Sequence, residues 1–263
     1  MEWLQILALA LIQGVTEFLP VSSSAHLILP AQLFGWEDQG LAFDIAVHLG
    51  SLAAVVTYFR RDLSAYAVSG WHTLAHRRVD EPATELAKVA AATLPIMICG
   101  FLLEDLVESD LRSLLVIAAT TIIFGLLLGY ADRRTGERTH VTWRDALIIG
   151  AMQVLALLPG TSRSGITMTA ALLLGLSRVS GVRFSFLLSI PTIAGAGLLA
   201  SAELAASDEP APWGLLAVAA VLAGATAYAC IRGFISLVDR TGMMPYVIYR
   251  LVLGAVLIGL WWA

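Results

Sequence analysis

Six stretches of this chain are apolar for the length of a helix that crosses a lipid bilayer, which leaves a water-soluble fold no way to cover them. A spanning helix needs about 20 predominantly apolar residues. Runs 86–103, 111–130, 184–206, 213–236 and 246–262 meet that length or nearly so; run 41–59 does too, although it carries Asp44 and His48. Only 14% of the 263 residues are charged and 58% are hydrophobic, where a soluble domain has about 25% charged residues. The same numbers exclude a disordered chain, and a net charge of −4 excludes a basic nucleic-acid binder. Cys99 and Cys230 both lie in apolar runs and offer neither a disulfide framework nor a zinc cluster. Met1-Glu2-Trp3 has no basic segment of the kind that opens a cleaved leader, so the first apolar segment is expected to stay in the protein.

Two further regions, 3–34 and 146–176, are apolar stretches broken midway by polar clusters with a proline. Neither half of either is long enough to span alone. Broken backbone is tolerated at membrane depth only where protein or a water-filled cavity surrounds it, so both regions are expected to be re-entrant helix-loop-helix hairpins. The two breaks resemble each other. Leu19-Pro20-Val21-Ser22-Ser23-Ser24 aligns with Leu158-Pro159-Gly160-Thr161-Ser162-Arg163, and each is followed by a phenylalanine that opens the next span, Phe43 or Phe184. This reads as an internal repeat within a single membrane domain, about 1–130 and 145–263.

Charge sets the orientation. Arginines crowd loops 60–85, 131–145, 177–183 and 237–245, whereas 104–112 and 207–212 are acidic. The positive-inside rule places the arginine-rich loops in the cytoplasm. Six spans and two hairpins satisfy every loop only if the first hairpin enters from outside and the second from inside. The expected fold is an all-α polytopic membrane protein with an inverted-topology repeat, its two hairpins meeting near the midplane to form the site.

The first break holds Gln13 and Glu17, which share a helix face at a spacing of four. It also holds Pro20, which ends or kinks the helix, then Ser22, Ser23, Ser24 and His26 where a second half-helix begins. A helix start offers donors and partial positive charge to an anion. The second break packs Gly160, Thr161, Ser162, Arg163, Ser164, Gly165 and Thr167 into another helix start. Glycine lets backbone approach a ligand, and arginine's fork matches phosphate. An arginine inside the membrane is by default functional. Together they read as a phosphate cradle, without the Gly-Lys-Ser/Thr signature of a P-loop. Other polar groups have plainer readings. Asp44 reads as a helix cap, His48 as a packing histidine, Glu203 as solvated, and Arg232 and Arg250 as side chains that snorkel to the inner interface.

These two clusters resemble the signatures of the undecaprenyl-diphosphatase family, the bacitracin-resistance type of bacterial membrane pyrophosphatase. The first, Glu/Gln-x-x-x-Glu-Phe-Leu-Pro-Val-Ser-Ser, a small pair and His, stands as Gln13 to His26; the second, Pro-Gly-x-Ser-Arg-Ser-Gly-x-Thr, stands as Pro159 to Thr167. The likeness runs over nearly the whole chain. It implies hydrolysis of undecaprenyl diphosphate to undecaprenyl phosphate and inorganic phosphate, which recycles the lipid carrier of cell-wall synthesis. It casts Glu17, Ser23, His26 and Arg163 as catalytic. It casts Gln13, Ser22, Ser24, Gly160, Thr161, Ser162, Ser164, Gly165 and Thr167 as substrate-binding, and opens the site to the outer side of the bacterial inner membrane. The oxygen-rich site suits Mg²⁺ or Ca²⁺, with Glu17 as its one carboxylate, since Gln13 stands where a second glutamate is common. Serine or water as nucleophile, and Glu17 or His26 as base, are both left open, as is a homodimer. The architecture alone equally suits a polyprenyl-phosphate flippase or secondary transporter.

Overall fold

The structure, a computed structural model, describes residues 3–36, 39–77, 79–103, 113–206 and 212–262. The acidic loops 104–112 and 207–211 that helped set the orientation lie outside the described residues. Eleven α-helices are described: α1 Trp3–Thr16, α2 Ser23–Phe34, α3 Leu41–Tyr58, α4 Arg60–His76, α5 Glu81–Leu102, α6 Leu114–Asp132, α7 Trp143–Gln153, α8 Arg163–Leu173, α9 Arg178–Ala206, α10 Trp213–Thr241 and α11 Met244–Trp262. A 3₁₀ turn, Val154–Leu157, follows α7.

Six of these helices, α3, α5, α6, α9, α10 and α11, are long and apolar enough to cross a membrane, and they are the six expected spans. Helices α9 and α10 run to 29 residues each, about 43 Å at 1.5 Å per residue. They outrun the hydrocarbon core because Arg178, Arg183, Arg232 and Arg240 extend them as helix beyond the apolar run. The helix α4 was hidden in what reads as a loop. It lies along the first turns of α5, with Tyr66 donating to Glu85 at 2.8 Å and Ser69 donating to Asp80. Burial, then the Glu85 carboxylate, pushes the Tyr66 phenol well above its usual range.

The halves α1–α2 and α7–α8 have 11 to 14 residues per helix, about 17–21 Å, so no half spans the core alone. The main packings of the spans recur when the helices of the two halves are exchanged. Helix α1 packs on α10 as α7 packs on α5, α3 packs on α10 as α9 packs on α5, and α3–α9 and α6–α11 pair with their own counterparts. Close approach is achieved at glycine. A Cβ on Gly14 would lie 2.8 Å from the Thr226 Cβ of α10, and one on Gly150 would lie 2.6 Å from the Ala92 Cα of α5.

The breaks match in detail, but in a different register from the sequence alignment. Ser22 (φ 73°) and Ser162 (φ 70°) are both left-handed, and each stands immediately before its second half-helix. Each hydroxyl lies 3.1 Å from that of the serine two residues on, Ser24 or Ser164. The true counterpart of Ser162 is therefore Ser22, not Ser23, because the second break has one more residue between proline and helix. Ser23 then corresponds to Arg163.

Two clasps close the arginine-rich end. Asp132 accepts from Arg178 Nε at 2.7 Å and from the Met243 N–H at 3.1 Å, tying α6 to the starts of α9 and α11. Asp145 caps α7 in a capping box with Thr142 and takes both arms of Arg138, which also donates to Leu174 O at 2.8 Å. Burial pushes the Asp145 carboxyl up, but Arg138 and the Thr142 hydroxyl and N–H outweigh it and hold the group down at about 2. A depressed carboxyl stabilises the fold above its ordinary pKa, and that contribution is lost as pH falls through the folded value. Asp145→Asn is therefore expected to melt at lower temperature than wild type at neutral pH. The gap should narrow as pH approaches about 2. Thermal unfolding in detergent across that range checks this, and a constant gap would contradict it.

Candidate active site

The first half-helix delivers Gln13 and Glu17 to one face, and Gln13 Nε2 donates to Glu17 Oε2 at 3.0 Å. Helical bonding persists to the Glu17 N–H. Pro20 cannot extend it, and the chain turns through Ser22 into α2. That turn swings Ser23 back over the end of α1, where its hydroxyl donates to Glu17 Oε2 at 3.3 Å. From the other break, Arg163 at the first position of α8 donates to Glu17 Oε1 at 3.0 Å and to Ser185 O at 3.3 Å. The Glu17 and Arg163 side chains are 9% and 11% exposed. One carboxylate thus joins an aliphatic hydroxyl and a guanidinium drawn from two segments about 146 residues apart. A buried ion pair is weak evidence of stabilisation by itself; what distinguishes this one is the space it faces.

That space is a cavity of about 420 Å³. Its polar wall carries Glu17, Ser22, Ser23, Ser24, Ser162 and Arg163, and also Asp44 and His48 of α3. Its apolar wall is formed by Ile45, Ile96, Ile193, Ala196, Gly197 and Ala200 from spans α3, α5 and α9. The positive end of the α8 dipole points toward it.

The structure gathers Glu17, Ser22, Ser23, Ser24, Ser162 and Arg163 as expected. Gln13 stands behind Glu17, bonded to it, and the others lie off the cavity. His26 does not line the cavity: Nδ1 bonds Ser22 O at 2.7 Å, and Nε2 bonds the Tyr249 hydroxyl at 2.6 Å. His48, which reads in the sequence as a packing residue, does line it, with Nε2 3.9 Å from Glu17 Oε2. Its Nδ1 bonds Asp44 O at 2.7 Å. The signal was available in the sequence as Asp44 and His48 four apart in an otherwise apolar span.

The second break is less of a backbone cradle than its glycines suggest. The N–H groups of Gly160, Thr161 and Gly165 are committed to Ser24 Oγ, Leu158 O and Ser162 Oγ. Gly160 (φ 89°) packs on α6, where a Cβ would strike Thr120 and Ile117. Ser164 donates to Leu19 O at 3.0 Å, tying the two breaks together, and Thr167 bonds the Ser185 hydroxyl at 2.6 Å. The buried Thr161 hydroxyl has no partner among the described residues. Arg250 does not snorkel: it is fully buried and bonds backbone in both breaks.

The donor set does not fit a prebuilt Mg²⁺ or Ca²⁺ site. Glu17 Oε1 is held by Arg163, and Oε2 by Gln13 and Ser23. Among the described residues, no group of three or more His, Cys, Asp and Glu side chains is placed to hold an ion.

This site lies within a chain that matches, over residues 6–256, the family described as bacitracin resistance protein BacA. It is 55% identical to a protein of Chromohalobacter salexigens over 98% of each chain, and 54% identical to one of Hahella chejuensis over 97% of each. It is 52% identical to one of Alcanivorax borkumensis over 98% of each. All three relatives are named undecaprenyl-diphosphatase. With the family matched over nearly its full length, the chain belongs to the bacitracin resistance protein BacA family.

Proposed function

We propose that this protein is an integral membrane pyrophosphatase that hydrolyses undecaprenyl diphosphate to undecaprenyl phosphate and inorganic phosphate. The observation that carries this is Glu17 at the cavity wall, bonded at once to the Ser23 hydroxyl and the Arg163 guanidinium. The apolar wall of the same cavity, from Ile45 to Ala200, suits the first prenyl units of the lipid.

Phosphoryl transfer is mostly positioning and charge stabilisation. Arg163, oriented by Glu17 and Ser185 O, takes oxygens of the terminal phosphate with its fork. Ser23 Oγ attacks that phosphorus in line and its proton passes to Glu17. The bridging P–O bond breaks, and undecaprenyl phosphate leaves. Water then attacks the phosphoserine, and inorganic phosphate departs. His26, held between Ser22 O and Tyr249, keeps the serine-bearing turn in place.

The arginine-rich loops lie in the cytoplasm of a bacterial inner membrane, and the cavity opens on the outer side. Residues of about 1–130 and 145–263 are the two inverted repeats, supported by the exchange symmetry of their packing. A transporter reading accounts for this architecture but gives the Ser23–Glu17 pair no task.

The test is phosphate release from detergent-solubilised protein supplied with undecaprenyl diphosphate, with Glu17→Ala and Arg163→Ala in parallel. Release by wild type and its loss in both variants is expected. Lipid binding without release would overturn the hydrolase reading.

A further inference from the structure

Arg250, on α11, is the largest fully buried side chain described. A buried charge ordinarily needs a partner of opposite sign, yet among the described residues no carboxylate pairs with it. Its donors go to backbone carbonyls: Nη2 to Gly160 O at 3.0 Å, Nη1 to Pro20 O at 3.5 Å and Nε to Thr121 O at 3.1 Å. Pro20 and Gly160 each stand two residues before the left-handed serine of their break. They are matched carbonyls of the two hairpins, and one planar guanidinium bridges them.

The space for this bridge is made by two glycines. A Cβ on Gly165 would lie 2.8 Å from Arg250 Nη1 and 3.2 Å from Ser162 Oγ, so the guanidinium lies directly beneath the first turn of α8. A Cβ on Gly125 of α6 would lie 3.1 Å from Arg250 Cβ and 3.4 Å from Nε. Arginine suits the task as no other side chain does, because its donors form a rigid fork and its charge persists when buried.

We propose that Arg250 is a positioning residue of the phosphatase reaction: by bridging Pro20 O and Gly160 O it sets the placement of Ser23 and Glu17 relative to Arg163. This rests on the hydrolase reading of the same site. The bridged carbonyls lie three residues before Ser23 in one break and three before Arg163 in the other. Any change in the bridge therefore moves the nucleophile against the phosphate-binding fork without removing any substrate-contacting group.

The experiment measures kcat, KM and melting temperature of the full-length protein in detergent with undecaprenyl diphosphate, for wild type, Arg250→Lys and Gly125→Ala. Lysine keeps the charge but cannot bridge the carbonyls. A misplacement of about 1 Å can cost on the order of 10²-fold in rate. Arg250→Lys is expected to lose about that in kcat, with KM within about threefold of wild type and the melting temperature little changed. Gly125→Ala keeps every donor and presses a methyl on the Arg250 stem; it is expected to lose about tenfold in kcat by the same displacement. It also decides the matter if Arg250→Lys does not fold. Wild-type kcat in either folded variant would overturn the proposal, as would losses that only track the fraction of folded protein. Absence of turnover in wild type would remove the hydrolase reading and this proposal with it. Turnover in wild type with unimpaired variants would remove this proposal alone.

Discussion

Arg163→Lys is expected to lose on the order of 10²-fold or more in kcat, although the positive charge remains. The Arg163 guanidinium donates in two directions, to Glu17 Oε1 and to Ser185 O, and this fixes the plane of the fork toward the cavity. A lysine ammonium can satisfy Glu17 but has no second arm with which to hold that plane or take two phosphate oxygens together. The loss should lie in the chemical step as well as in binding, because charge on the transferring phosphoryl oxygens is redistributed in the transition state. Kinetics of phosphate release check this, and near wild-type turnover would place Arg163 outside the phosphate contact.

Ser23→Ala is the second large effect. Removing an attacking hydroxyl costs far more than removing one positioning donor, and a loss on the order of 10³-fold or more is expected. The hydroxyl lies 3.3 Å from its base in the absence of substrate, a looseness usual before a reactive complex forms. The sharper measurement is rapid quenching with substrate labelled in its terminal phosphate. Wild type should carry label on the protein and Ser23→Ala should not. Residual hydrolysis within about tenfold of wild type would exclude an obligatory phosphoserine and assign the attack to water.

The six spans were legible because a span is a property of length and hydropathy alone, and α3, α5, α6, α9, α10 and α11 each declare both. The breaks were legible because proline and clustered hydroxyls inside an apolar run leave backbone groups that lipid cannot satisfy, so the chain must turn there within protein. Side-chain direction was not. Whether the imidazole of His26 or that of His48 reaches Glu17 depends on the left-handed turn at Ser22 and on where α3 packs, and neither is written locally in the sequence. The same turn hid the one-residue offset between the breaks, since matching prolines aligned Ser23 with Ser162 and only the backbone conformation pairs Ser22 with it. Arg250 was misread because an arginine a few residues inside a helix end looks the same whether it reaches outward to headgroups or inward to carbonyls. The glycines of the second break were misread for a related reason: close approach was expected from a ligand, and comes from α6 and Arg250.

The offset between the breaks has a consequence for how such a site could arise. Ser23 and Arg163 occupy equivalent places, and residues 146–162 of the second half hold no acid to match Glu17, so each half carries what the other lacks. Two copies of the first half would bring together two acids and two hydroxyls with no cation to neutralise them. Two copies of the second would set two guanidiniums against each other with no base. Neither symmetric homodimer could run the reaction proposed for this chain; on the proposed repeat, the frame is shared by both halves and the chemistry requires that they be unlike.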